Sequence, residues 1–285
     1  MSESETRSTT AKKRYHIGCQ SWQYDEWITQ IGGETIFYPS GTKPAEMLEL
    51  YSGVFNTIEV DSTAYGTPAV STLEGWISST PNEFLFSLKT PRAITHEYSL
   101  GRVSFPVMDE FVQAVATMRD RLGVILIQFP AAFEATRENG VHLRNFISRL
   151  PRDVRFAVEF RHPSWFVGWT FEELNENGVA LALVAGKWVA EEVMFAAFEK
   201  TNVPFAYVRL MGIRDLPSFD RVQRDRSDEI SRWADRIREL RATDVFIYVD
   251  NYFEGHAPAT ANKMKRFLNV EVVDPSGLET QASLF

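Results

Sequence analysis

Between Val154 and Trp165 the sequence VRFAVEFRHPSW places an acid, a base and an imidazole, Glu159, Arg161 and His162, at the end of a run of strand-forming residues. Successive side chains of an extended chain alternate sides, so Phe156, Val158 and Phe160 share one face and Ala157, Glu159 and Arg161 the other. Charges on a buried face are paired or used. This is therefore the first candidate site: Glu159 to move a proton, Arg161 to hold an anion, His162 to orient substrate or a water.

The same pattern recurs along the chain. Glu59 and Asp61 are in phase with each other and opposite to Ile58 and Val60; Lys89 is in phase with Ser87; Gln128 ends a fourth apolar run; Arg209 is in phase with Tyr207 and Asp250 with Tyr248. Four carboxylates and three cations would line one cavity if these faces converge. Trp22, Tyr65, His96, Trp165, Asn251 and His256, with Ser21 and Tyr24, follow in the loops just beyond. Glu159 and Asp61 are the candidates for acid and base. Lys89, Arg161 and Arg209 suit a phosphate or carboxylate, with Asp250 and Asn251 orienting the substrate. Two readings stay open for several residues: inward charges can form an ion-pair lattice that fills an interior, and Trp22, Tyr65 and Trp165 fit either a core or the wall of a sugar or base pocket. Two separated carboxylates also suit glycoside hydrolysis. His16 and His142 read as structural.

No HExxH, paired cysteines or calcium-loop pattern occurs, so no local motif demands a metal and no cofactor is identified. A divalent site could still be assembled from Glu59, Asp61, Glu159, Asp250 and His162, opposed by the three nearby cations.

Apolar runs fall at Tyr15–Cys19, Asn56–Val60, Phe84–Leu88, Val124–Phe129, Val154–Phe160, Val179–Val184, Phe205–Leu210 and Val245–Val249. Helical spacing lies between them: Met47, Leu48, Tyr51; Leu73, Trp76, Ile77; Phe111, Val115, Met118, Leu122; Ile230, Trp233, Ile237, Leu240; and a last helix over Ala257–Leu268. Eight strands alternating with helices predict a single-domain (β/α)₈ barrel, whose function belongs at the C-terminal ends of the strands. The alternative, an open doubly wound sheet, lacks its glycine-rich turn after the first strand. The expected organisation is a disordered leader over 1–13, a barrel over 14–270 and a flexible tail over 271–285.

The chain has 285 residues, a formal charge of -8 and one cysteine, Cys19. A disulfide framework is excluded, and a generally basic nucleic-acid surface is not indicated. With neither a secretory signal nor a membrane-spanning run, the expectation is a soluble cytoplasmic protein. The arginines of Arg214–Arg241 are interleaved with acids and read as a solvated face, with Arg221, Arg224 and Arg226 early enough to cover the barrel mouth.

At these residues the chain resembles the YecE-like family, domain of unknown function 72. The resemblance runs from about Ile17 to Leu268 and is carried by GCQSWQY, FYP at Phe37–Pro39, FNTIEVDSTAYGTP, FLFSLKTPRAITH, LGVILIQFP, FAVEFRHPSW, FAYVRLMG and VFIYVDNYFEGHAPATAN. It implies a TIM barrel and leaves the reaction open. The chain departs from the family pattern at Gly66, where arginine is common, at Ala185 and Gly186, where an acid is expected, and at Met211, where histidine is common.

The last five residues, QASLF, resemble the bacterial sliding-clamp-binding motif. Leu284 and Phe285 would fill an apolar pocket while Gln281 hydrogen-bonds at its edge. A Leu-Phe pair that packs back on the barrel is the competing reading. The combined expectation is a hydrolase acting on an anionic or sugar- or nucleotide-containing compound, with a tie to replication or repair through the tail. The alternatives are a non-catalytic ligand-binding protein and a clamp-associated adaptor.

Overall fold

The computed structural model describes residues 12–97 and 99–278. Nearly all of the expected leader and the whole QASLF tail lie outside them. The expected tail region from 271 begins differently: Pro275–Gly277 forms a single turn, and Leu278 is buried over Gly53.

Among the described residues eight parallel strands alternate with eight α-helices. The strands are β1 (Arg14–Cys19), β2 (Thr57–Val60), β3 (Leu85–Lys89), β4 (Leu122–Gln128), β5 (Phe156–Glu159), β6 (Ala180–Ala185), β7 (Phe205–Leu210) and β8 (Asp244–Val249). The helices are α1 (Met47–Ser52), α2 (Val70–Ser78), α3 (Ser104–Val115), α4 (Arg137–Ile147), α5 (Gly168–Glu176), α6 (Glu191–Phe198), α7 (Ser227–Glu239) and α8 (Ala257–Phe267). Ladders connect the strands in the order β1-β8-β7-β6-β5-β4-β3-β2. Helices cover the outer face, so the strands are buried on both sides and read as nearly continuous apolar runs. This is the TIM-barrel architecture the alternation predicts.

The barrel closes between β1 and β2 without a regular ladder. Cys19 N–H donates to the Tyr51 hydroxyl (2.7 Å), which in turn donates to the Thr57 carbonyl (3.0 Å). Asn56 adds a second bridge: its Oδ1 accepts from Ile17 N–H (3.2 Å) and its Nδ2 donates to the Tyr15 carbonyl (3.2 Å). Ser21 N–H then donates to the Glu59 carbonyl (2.9 Å) at the top of the seam. Gly18 is required here, because a Cβ would stand 2.1 Å from the Thr57 carbonyl oxygen.

One helix ends earlier than its spacing predicts. Phe111, Val115, Met118 and Leu122 continue the helical step, yet α3 stops at Val115 and Leu122 already belongs to β4. Arg119 adopts φ 53° and breaks the turn. Arg121 Nε donates to the Phe84 carbonyl (2.8 Å) and Nη2 to Thr80 Oγ1 (2.6 Å), which draws the chain back into the barrel wall.

Inside the barrel, the layer nearer its N-terminal end carries Thr57, Ser87 and Tyr248. The Tyr248 hydroxyl lies 2.7 Å from Thr57 Oγ1 and donates to Ser87 Oγ (2.8 Å). Above it the interior turns from hydroxyls to charges.

Candidate functional site

Arg209, on β7, occupies the centre of this charged layer with no solvent exposure. Its Nε donates to Glu59 Oε2 (2.9 Å) and its Nη2 to Glu59 Oε1 (2.6 Å), while Nη1 donates to Glu159 Oε2. The Tyr207 hydroxyl donates to Glu59 Oε2 (2.6 Å). Glu159 Oε1 accepts from Gln128 Nε2 (2.9 Å) and Arg161 Nε (2.8 Å). Alternation along β2, β5 and β7 turns all three charges inward, and the β4–β5 register sets Gln128 directly beside Glu159.

Over this layer opens a cavity of about 380 Å³ at the C-terminal ends of the strands. Its lining is polarised. Asp61 after β2, Gln20 and Tyr24 after β1, and Asp250 after β8 lie on one side; Lys89 and Arg92 from β3, Arg161 from β5, Lys187 from β6 and Arg214 from β7 supply the cations of the other side, with Glu159 of β5 among them. Cations therefore outnumber the three lining acids, Asp61, Glu159 and Asp250, in a chain whose net charge is -8. Among the described residues Arg92, Lys187 and Arg214 form no ion pair, so their charge is available to a ligand.

Burial raises the Glu159 pKa, but Arg209 and Arg161 together with the hydrogen bonds from Gln128 and Arg161 outweigh it and hold the carboxyl at about 2. Glu59 behaves likewise: burial acts upward, while Arg209, Lys89 and Tyr207 bring it below the ordinary carboxylate range. Both are permanent anions near neutral pH. Asp250 moves the other way, raised by burial against backbone hydrogen bonds and the charges of Arg209 and Lys89. Burial and the charge of Arg209 lower Lys89, whose Nζ stands 3.7 Å from Glu59 Oε1. Burial and the charges of Asp250 and Asp61 push the Tyr24 phenol upward.

The sequence-predicted residues divide into two groups. Asp61, Tyr65, Lys89, His96, Gln128, Glu159, Arg161 and Asp250 line the cavity, and Glu59 and Arg209 lie beneath it. Trp22, Trp165, His162, Asn251 and His256 do not line it. Trp165 turns into the core, where its Nε1 donates to the Phe133 carbonyl (2.6 Å) and its ring stacks on Phe133 and Phe160. Trp22 is buried edge-on against Trp76. His162 faces Ser164 Oγ (2.7 Å), with Glu134 3.7 Å from its Nε2. Asn251 Oδ1 accepts from Ala257 N–H (2.8 Å) and Trp27 Nε1 (3.2 Å), a capping role at the start of α8. His256 is buried beside Trp27.

Arg92, Lys187, Trp188 and Arg214 join the cavity without having been singled out for it. Lys187, Trp188 and Arg214 sit in loops and Arg92 opens the short helical turn over Ala93–Glu97, where no periodicity marks a direction; their positions a few residues after strand ends were the available signal. The loop bearing Arg214 is fixed by Gly212, whose Cβ would stand 1.8 Å from the Tyr252 carbonyl oxygen. Its far end is pinned by buried Glu254, whose carbonyl accepts from Gln223 N–H (2.7 Å) and whose Oε1 accepts from Arg226 N–H (2.7 Å). Arg221, Arg224 and Arg226, expected over the mouth, are engaged instead with Asp220, Asp215 and Glu229.

The divalent site considered from sequence is not assembled: among the described residues no three His, Cys, Asp or Glu side chains converge. The oxygens of Glu59 and Glu159 are taken by Arg209 and its neighbours, and His162 points elsewhere. No helix among the described residues is long and apolar enough to cross a membrane. Gln281, Leu284 and Phe285 lie outside the described residues.

Comparison with known proteins agrees with this architecture. The chain is 25% identical over 273 residues to UPF0759 protein YunF of Bacillus subtilis (strain 168), covering 86% of this chain and 94% of that one. It is 28% identical over 200 residues to UPF0759 protein YecE of Escherichia coli (strain K12), covering 66% and 68%. A crystal structure of a DUF72 family protein from Thermotoga maritima superposes with a TM-score of 0.72 at 24% identity, covering 90% of this chain and 99% of that one, a likeness of fold. The family model described as "Protein of unknown function DUF72" matches residues 16–282, and the chain belongs to that family.

Proposed function

We propose that this protein is an enzyme, hydrolytic in kind, that applies carboxylate acid–base chemistry to a small anionic compound bearing hydroxyl groups. The observation that carries the reading is the polarity of the cavity: Asp61 and Asp250 lie on the β8–β1–β2 side, and the unpaired cations Arg92, Lys187 and Arg214 follow β3, β6 and β7 around the remainder of the rim. The cations hold the anion, and the acids meet hydroxyl groups or the scissile bond.

In this reading the roles shift from those the sequence suggests. Glu159 and Glu59 are positioning residues that fix Arg209 and, through it, the floor of the cavity. Asp250, whose proton affinity burial raises, donates to the leaving oxygen. Asp61 accepts a proton from the attacking water, and Lys89 steadies the charge that develops between them.

The test is turnover of sugar phosphates, glycosides and phosphodiesters by the full chain, with products read by mass spectrometry. Turnover that falls about 100-fold or more in Asp250→Asn, with ligand affinity retained, is the expected outcome. Binding without turnover across the panel would favour a ligand-binding protein instead. For the tail, we propose contact of Gln281, Leu284 and Phe285 with a sliding clamp, supported by the motif alone; clamp binding by the full chain that truncation of 281–285 fails to weaken would refute it.

A further inference from the structure

Of the seven tryptophans, Trp188 alone stands out in solvent, at 44% exposure. It lies in the loop after β6 and lines the cavity. Two of the cavity cations lie close to its ring: Lys187 Nζ is 4.4 Å and Arg161 Cζ 5.9 Å from the ring centroid. Tyr65, 83% exposed, lines the same cavity from the loop after β2, on the opposite side of the eight-strand cycle. The mouth thus combines a charged arc that selects an anion with a flat apolar surface that the anion itself does not use.

Aromatic faces beside arginine and lysine stack on planar rings and accept any nucleobase, since each has a π face. A cavity of about 380 Å³ suits one small ligand. The chain's charge of -8 disfavours a long polyanion and so favours a free nucleotide over a strand. We infer that the anionic compound of the proposed reaction is a nucleoside monophosphate. Its base stacks on Trp188, its phosphate lies among Arg92, Arg161 and Arg214, and its ester linkage is turned toward Asp61 and Asp250, so that water, giving its proton to Asp61, attacks phosphorus while the P–O5′ bond breaks and O5′ takes a proton from Asp250. The inference rests on the anionic-compound reading and adds the ring to it.

Calorimetric titration of the full chain with adenosine 5′-monophosphate, ribose 5-phosphate and adenosine separates the two ideas. The monophosphate binds about tenfold or more tighter than ribose 5-phosphate. Trp188→Ala removes that advantage and leaves ribose 5-phosphate affinity unchanged, whereas Trp188→Phe, which keeps a flat ring, retains most of it. Equal affinities for the two phosphates, or an advantage that survives Trp188→Ala, would overturn the ring assignment while leaving the anion reading intact. No binding by either phosphate, or adenosine binding as tightly as its monophosphate, would remove both.

Discussion

Glu59 and Arg209 meet in a two-point pair, Nε to Oε2 at 2.9 Å and Nη2 to Oε1 at 2.6 Å, with neither side chain exposed to solvent. The guanidinium fork matches the carboxylate, and its remaining nitrogen reaches Glu159. One arginine thus ties β2 to β5 across the barrel from β7. Breaking such an arrangement from one side leaves a buried charge under-compensated, which costs about 3–5 kcal/mol. Glu159→Gln is therefore expected to lower stability by roughly 3 kcal/mol. Urea denaturation measures it, and a loss below about 1 kcal/mol would show that the pair adds little.

The β1–β2 seam makes a separate prediction. Tyr51→Phe keeps the ring but removes the hydroxyl that serves Cys19 N–H and the Thr57 carbonyl. Two buried backbone groups then lose a partner, for an expected cost of about 1–3 kcal/mol. Faster hydrogen exchange at the Cys19 amide should accompany it; unchanged protection there would mean the seam closes by other bonds.

A pH dependence follows from His256, which burial pushes down to about 4. The unfolded imidazole titrates at about 6.5, so between roughly pH 6.5 and 4 the unfolded chain binds more protons. Stability is full above that window and falls as pH drops through it, by an amount on the order of 3 kcal/mol. Melting temperatures at pH 7 and 4.5 should therefore diverge less in His256→Gln than in the wild type. Equal divergence would assign the acid limb to other groups.

Much of the architecture was legible because period-two alternation specifies both a strand and its inward face, and Glu59, Lys89, Gln128, Glu159, Arg209 and Asp250 all follow that rule. Partnership was not legible. Nothing in FAVEFRHPSW says that Glu159 is saturated by Arg209, Gln128 and Arg161, because two of those partners lie on other strands. Loop residues failed for a different reason. Trp165 and His162 follow β5 as a site residue would, yet a carbonyl at Phe133 and a hydroxyl at Ser164 turn them away. Arg214 and Trp188 reach the cavity from stretches with no periodic signal.

In the proposed function, the unpaired cations of the barrel mouth select an anionic ligand. Titration of ribose 5-phosphate and ribose into the wild type and an Arg92→Gln/Arg214→Gln double variant tests it most directly. Ribose 5-phosphate is expected to bind far tighter than ribose, to weaken with added salt, and to lose about tenfold or more in affinity for the double variant, whose melting temperature stays near that of the wild type. Equal binding of ribose and ribose 5-phosphate, or full retention of affinity without the two arginines, would contradict it.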